Sequence, residues 1–156
     1  MNIVDVRTGK KHLVEILPVE KDDYKKITKS IFWLNWKEEQ DFSVYKLQRK
    51  GSNELLGLIS LENFDAESRV EIRLLAVSKN NRGKSKEYAN IAGNLIAFAC
   101  IESLKLYGEM ACVSLVPKTE LVAHYIEKYD MLQAGRSLFL EGIELIRLIT
   151  KYDGRD

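Results

Sequence analysis

The stretch AVSKNNRGKSKEYANIAGNLIAFA, residues 76–99, decides how this chain is read. It opens on the end of an apolar run and closes as an apolar segment of helical length. Between them lies a basic loop carrying Lys79, Arg82, Lys84 and Lys86 with no acid before Glu87, and Gly83-Lys84-Ser85 sits at its middle. A nucleoside-triphosphate P-loop, another anion cradle and a solvated turn all present such a face. The P-loop needs a glycine, four residues, then Gly-Lys-Ser or Gly-Lys-Thr, because the first glycine turns the backbone around the phosphates. Counting back from Gly83 reaches Ser78 in that place. The helix should also begin at Lys84, yet Lys84 to Ala89 is polar and the apolar pattern starts at Ile91. The strand that follows, Ala111 to Val116, does not end in an aspartate able to hold magnesium. The dinucleotide fingerprint Gly-x-Gly-x-x-Gly is absent. An NTPase remains only as the third reading.

What is left is a buried strand, a basic loop and a helix N-terminus. First-turn amides there lack intrahelical acceptors and face outward along the helix dipole, which favours an anion. A solvated basic turn is the competing reading. Ala92 and Gly93 argue for the anion site, since two tiny residues at a helix start let a ligand or another backbone come close.

Outward from this segment, Val70 to Val77 reads as a strand, almost continuously apolar from Leu74 and so covered on both faces. Ile91 to Leu106 is a helix, apolar nearly all round between Leu95 and Ile101, and Gly108 ends it. Ala111 to Val116 is a second buried strand. Residues 70–116 therefore form a β–α–β unit with parallel strands and a right-handed crossover. Upstream, the pattern predicts a strand at 12–17, a helix at 21–28, a second helix at 31–36 holding Phe32, Trp33 and Trp36, and strands at 43–49 and 55–62. Downstream it predicts a helix at 119–129, a strand at 137–140 and a closing helix at 143–151. The whole is expected to be one α/β (α+β) domain, 1–156, with its chemistry where the central strands end.

Composition narrows the partners. The 156 residues suit one core. With 24 Lys plus Arg against 23 Asp plus Glu there is no basic excess, so no nucleic-acid partner is expected. No uninterrupted apolar run approaches 18 residues and Met1 to Asp5 has no signal-peptide character, so no membrane partner is expected. Cys100 and Cys112 lie in apolar stretches without metal-ligand spacing. No metal is expected, Cys100 is a core residue, and a reduced cytoplasmic setting is the default.

These residues resemble the coenzyme A site of the GNAT acetyltransferase superfamily, whose signature is Gln/Arg-x-x-Gly-x-Gly/Ala between a central strand and a long helix. Arg82-Gly83-Lys84 resembles the start of that signature, and Asn90-Ile91-Ala92 followed by Gly93-Asn94 resembles its end. Ser85 to Ala89 are additional residues, and Asn90 stands where the family has glycine. Val70 to Ser78 resembles the family's fourth strand, and Gly57 sits where the third strand tends to carry a glycine. His124-Tyr125-Ile126-Glu127-Lys128-Tyr129-Asp130-Met131 resembles the family's Phe-Tyr-Glu-Lys-Leu-Gly-Phe, with Asp130 replacing the glycine. The matches span about residues 55–131.

The resemblance implies a mostly antiparallel central sheet with a parallel β–α–β cofactor unit and helices on both faces. It implies acetyl-CoA as cofactor, an amine of a small molecule or protein as acceptor, and a monomer or homodimer. Main-chain groups of Leu75, Ala76 and Val77 would pair with the pantetheine arm. Arg82, Gly83 and Lys84, with the amides of Asn90, Ile91, Ala92, Gly93 and Asn94, would hold the diphosphate. Tyr125 matches the family tyrosine near the sulfur, with Tyr129 as its competitor. Glu71 stands where some members carry a general base, and Glu62 or a water chain could serve instead. Glu71 and Arg73 share one side of the strand, so an exposed acid with a cationic neighbour competes with the catalytic role. His124 reads as a surface residue. Phe32, Trp33 and Trp36 fall in the segment that walls the family's acceptor cleft together with loops around Asn63 to Ser68, although core packing is the safer reading of these aromatics. A CoA-binding module that has kept the fold and lost catalysis is the alternative function.

Overall fold

The computed structural model describes residues 1–154. Its strands in chain order are β1 (Asn2–Asp5), β2 (Lys11–Pro18), β3 (Ser43–Arg49), β4 (Leu55–Phe64), β5 (Arg69–Val77), β6 (Tyr88–Ala89), β7 (Cys112–Leu115), β8 (Leu132–Ala134) and β9 (Ser137–Glu141). The α-helices are α1 (Lys29–Phe32), α2 (Ile91–Tyr107), α3 (Val122–Tyr129) and α4 (Gly142–Asp153). The strands form one sheet in the order β6-β1-β2-β3-β4-β5-β7-β9-β8. Antiparallel pairing dominates, and β5 runs parallel to β7 with Arg69 opposite Cys112 and Ile72 opposite Leu115. The expected mixed sheet with its β–α–β unit is thus present.

Local chemistry explains most departures from the sequence pattern. β1 joins the sheet through a hairpin whose turn is tied by Asp5: its carboxylate accepts the Arg7 and Thr8 amides at 2.9 and 3.2 Å. The expected helix at 21–28 is a single 3-10 turn, Lys21–Lys25. The expected helix at 31–36 is broken. α1 stops at Phe32 because Trp33 and Leu34 both take φ of 59°, and a separate 3-10 turn covers Trp36–Glu39. Asn35 starts that turn by donating to the Glu38 carboxylate at 3.0 Å, a local bond that competes with a continuous helix. Phe32 and Trp36 still enter the core, at 1% and 2% exposure, whereas Trp33 is 57% exposed.

By contacts the described chain divides into two compact units. The first combines Met1–Ser60 with Leu74–Leu95; the second combines Leu61–Arg73 with the chain from Ile96 onward. In the first, Ile27, Phe32, Trp36, Val44, Leu55, Leu58 and Ala76 cluster, with Leu74 and Tyr24 packed against them. Helices reach both faces of β4 there: Gly57 faces Ile91 and Leu95 of α2, while Ser60, three residues on, donates to Glu39 of the 3-10 turn at 2.9 Å. In the second, Val70, Ile72, Val113, Leu115, Leu138, Leu140, Leu145 and Leu148 are buried. Ile91–Met110 is long and apolar enough by composition to cross a membrane. Leu95, Ile96, Ala97, Ala99 and Cys100 on it are fully buried, which marks it as a core helix.

The first 3-10 turn is anchored to the sheet by charge. Asp23 accepts the Lys46 ammonium and the Glu20 amide, both at 2.7 Å, with the Asp23 and Lys46 side chains only 12% and 13% exposed. Burial alone would raise the Asp23 pKa. The Lys46 and Glu20 hydrogen bonds and the charges of Lys46 and Lys26 outweigh it, and the net shift is downward. A depressed carboxylate contributes stability that is present above the unfolded-state value and is lost as pH falls through the folded one. Asp23→Asn is expected to cost about 1 kcal/mol at neutral pH. In urea titrations the difference from the parent should shrink below about pH 4; a gap that persists into acid would remove the ion pair from this account.

Candidate functional site

β5 is longer than its parallel partner. Its first four residues, Arg69–Ile72, pair with β7, which ends at Leu115. Arg73 to Val77 run on beyond that partner. The Ser78 amide donates to the Leu56 carbonyl of β4 at 2.9 Å, which fixes the alternation. Leu75 and Val77 therefore turn their N–H and C=O groups to the edge that β7 leaves. An extended amide-containing chain can add to such an edge as a strand does.

The loop after β5 starts with a 3-10 turn, Lys79–Asn81, and reaches Gly83 at φ 71°. Asn81, 6% exposed, locks it: its amide donates to Ser78 Oγ at 2.8 Å and its oxygen accepts the Tyr88 N–H at 2.8 Å. The additional residues end in β6, which pairs with β1 through Val4–Ala89 and Asp5–Tyr88. The Glu87 carbonyl also accepts the Val6 amide at 3.0 Å, and Arg49 donates to the Tyr88 hydroxyl at 3.1 Å. This excursion is sewn into the sheet edge, leaving Gly83 and Lys84 exposed at the loop tip.

Asn90 then takes φ of 76°, the left-handed conformation that glycine enters freely and asparagine tolerates better than other side chains. At the position where the motif carries glycine, this chain places an asparagine in a conformation that glycine enters freely. α2 follows at once, its first intrahelical bond running from Asn94 N–H to Asn90 O at 3.1 Å, so the Ile91, Ala92 and Gly93 amides precede the ladder. Ile91 as a whole residue is 2% exposed and Gly93 is buried, so Ala92 is the more exposed residue of this first turn. Asn94 is fully buried and donates to the Asn2 carbonyl at 2.8 Å, a tie from α2 to β1 that the sequence did not suggest. Asn90→Ala should destabilise by about 1 kcal/mol because a Cβ without a local hydrogen-bonding group is forced into left-handed space, whereas Asn90→Gly should match the parent within about 0.5 kcal/mol. Equal midpoints for both variants in denaturant melts would contradict the assigned φ.

Arg82 lies between loop and helix α1. Its Nε donates to the Val77 carbonyl at 2.6 Å, its Nη2 to the Ile31 carbonyl at 2.9 Å, and its guanidinium stands over the Trp33 ring at 4.9 Å. No pattern in the sequence signals a bond spanning 51 positions.

Leu75, Ala76, Val77, Arg82, Gly83, Lys84 and Asn90 to Asn94 all fall in the first unit; Glu71 and Tyr125 fall in the second. Glu71 lies in the paired part of β5, opposite Ser114. Its cationic neighbour is Arg69 at 3.4 Å, while Arg73, expected beside it, pairs with Glu62 at 2.9 Å. Arg69 also holds Glu67 and donates to Ser114 Oγ at 2.7 Å, so Glu71 belongs to a surface charge network. Around Asn63 to Ser68, β4 ends at Phe64 and a 3-10 turn covers Asp65–Glu67.

α3 ends at Asp130, whose φ of 56° is the left-handed cap that the family glycine would supply. In the Phe-Tyr-Glu-Lys-Leu-Gly-Phe pattern the tyrosine stands four residues before the glycine, and four before Asp130 is Ile126. Tyr125 and Tyr129 flank that place on one helix, with ring centroids 5.8 Å apart. Tyr125 is half-buried, and burial raises its pKa. Tyr129 is 3% exposed, and burial, then Tyr152 and Tyr125, push its pKa well up. His124 is exposed, edge-on to both rings. Cys100 is fully buried, which pushes its thiol pKa up and leaves it inert.

The sequence matches no protein-family model and no curated protein. Solved structures do match the fold. The N-acetylglutamate synthase of Neisseria gonorrhoeae, complexed with coenzyme A and N-acetyl-glutamate, superposes with a TM-score of 0.61 at 16% identity over 84% of this chain; the chain spans 35% of that protein's length. A Bacillus subtilis acetyltransferase in complex with CoA gives 0.56 at 15% identity, over 84% of this chain and all of that one. The spermidine N-acetyltransferase of Vibrio cholerae, solved as a dodecamer, gives 0.61 at 14% identity, over 89% and 95% of the two chains.

Proposed function

We propose, from the GNAT acetyltransferase fold that this chain carries, that it moves an acetyl group from acetyl-CoA to an amine by direct attack within a ternary complex. The observation that supports this most is the run of features within one unit. A strand that runs past its parallel partner after Ile72 leads into a basic loop, and that loop leads through a left-handed Asn90 into the first turn of a buried helix. Bound acetyl-CoA would supply the acetyl group as a thioester, whose C–S bond breaks as the new C–N bond forms. Leu75 and the Val77 N–H would hold the pantetheine amides along the part of β5 that runs past β7. The amides of Ile91, Ala92 and Gly93, with Lys84 at the exposed loop tip, would meet the diphosphate. Such edge N–H groups are also suited to developing oxyanion charge, where one well-aimed donor is worth ~3 kcal/mol.

Two protons must move. The amine gives one up, and we assign its removal to water, because the Glu71 carboxylate already pairs with Arg69. The departing thiolate takes one, and Tyr125 is the candidate donor. Glu71→Gln should accordingly change kcat/KM less than tenfold across pH 6–9, about 1.4 kcal/mol at most; a larger loss with a shifted basic limb would restore it as the base.

The test of the activity is thiol release from acetyl-CoA on a panel containing glutamate, spermidine and an aminoglycoside. Release on any of them supports the transferase. CoA binding by calorimetry without release on any amine favours the non-catalytic module, and no heat with CoA removes both. Lys84→Glu should weaken CoA binding several-fold at low salt and less at high salt, as a solvent-exposed charge contact does.

A further inference from the structure

We propose that Arg82 is a positioning residue: it clamps the segment Ile31–Trp33 to the end of β5, and so builds the acceptor-side wall instead of ligating phosphate. The assignment of that segment to the acceptor side rests on the acetyltransferase reading above; the clamp itself rests on geometry.

Three contacts meet on one guanidinium. α1 has only four residues: the Lys29 carbonyl takes the Trp33 amide, while the Ile31 carbonyl lies in the last turn, where a cation serves both it and the helix dipole. Arg82 Nη2 does this at the Ile31 carbonyl, 2.9 Å away. Its Nε caps Val77 O at 2.6 Å, one of the groups that strand alternation turns to the free edge. The guanidinium carbon stands over the Trp33 ring, 4.9 Å from its centroid.

The chain beyond α1 needs such a hold. Trp33 and Leu34 both have φ of 59°, and left-handed backbone costs a bulky residue roughly 1–2 kcal/mol. Core packing does not supply the compensation, since Trp33 is 57% and Leu34 44% exposed. The planar fork of arginine can grip two carbonyls and stack on an indole at once; a lysine ammonium has no such geometry. With Nε and Nη2 on backbone oxygens, the diphosphate is left to Lys84 and the α2 amides.

The experiment compares the full chain with Arg82→Ala and Arg82→Lys by amide hydrogen exchange, CoA calorimetry at two salt concentrations, and thiol-release kinetics. Exchange at Ile31 to Leu34 should accelerate at least tenfold in both variants, while the Kd for CoA stays within threefold and keeps its salt dependence. On any amine that turns over, KM for the amine should rise with kcat changed less than threefold. Unchanged exchange in both variants overturns the clamp, as does a lysine variant indistinguishable from the parent. A tenfold weaker, less salt-dependent CoA Kd overturns it in favour of a phosphate ligand. If the alanine variant does not fold, the lysine variant decides alone. Exchange needs no ligand, so a parent protein that binds no CoA would defeat the transferase reading while leaving the clamp testable.

Discussion

Gly57→Val is expected to lower the stability of the folded protein by about 3 kcal/mol and, on the proposed acetyltransferase reading, to weaken CoA binding with it. A Cβ at Gly57 would stand 2.7 Å from Ile91 Cγ2 and 2.9 Å from Leu95 Cδ1, inside van der Waals contact with two side chains of the first turns of α2. Ile91 is 2% and Leu95 0% exposed, so neither can swing outward into water. The Ala76 carbonyl at 3.5 Å closes a third side. The strain is relieved only by backing α2 away from β4, and the residue that moves first is Ile91, whose amide opens the proposed diphosphate site. Alanine, with the same Cβ and no branches, should cost about 1–2 kcal/mol. Urea titration checks both: a valine variant within 1 kcal/mol of the parent would mean that the glycine is not there for close approach.

That glycine shows what a one-dimensional pattern can carry. Gly57 stands out only through the family resemblance, and the neighbours it makes room for appear in the fold; α2 stands out because apolar residues all round demand burial, which is a local signal. Asn90 was half legible. Its place in the motif could be counted, but not that an asparagine would reproduce the glycine's φ. The region 20–40 misled because apolar spacing cannot tell a helix from two 3-10 turns and four helical residues when the break is a backbone choice at Trp33 and Leu34. β1 and β6 were invisible for another reason. Two to four residues acquire strand character only from the partner they meet, and Tyr88 and its partner Asp5 are 83 positions apart in the sequence. Charge pairing failed similarly. Two residues on one strand face, Glu71 and Arg73, each found a better partner, in Arg69 and in Glu62 across the sheet. Arg82 belongs with these: the motif assigns it to a ligand, and the fold to Val77 and Ile31.

Tyr125→Phe should lower turnover at least tenfold, about 1.4 kcal/mol or more, with CoA affinity unchanged. A leaving thiolate needs a proton donor that is still protonated at neutral pH, and burial holds the Tyr125 phenol above its ordinary value of 10. A group with a raised pKa donates over the whole physiological range and fails only as pH rises through it, so the alkaline limb of kcat assigned to this acid should lie above pH 10. The left-handed cap at Asp130 puts Ile126 at the place of the motif tyrosine, so the candidate phenols are its neighbours on α3, Tyr125 and Tyr129. Tyr125 is the more exposed of the two candidates, and no acceptor among the described residues engages its hydroxyl. Tyr129 sits one turn on, at 3% exposure, packed on Tyr125 and Tyr152. Tyr129→Phe should therefore register first in stability, and Tyr125→Phe in turnover. The reverse result would move the acid to Tyr129. Full rates from both variants would hand the proton to water, and an isoleucine at the motif position would then mark a site that has dispensed with a tyrosine altogether.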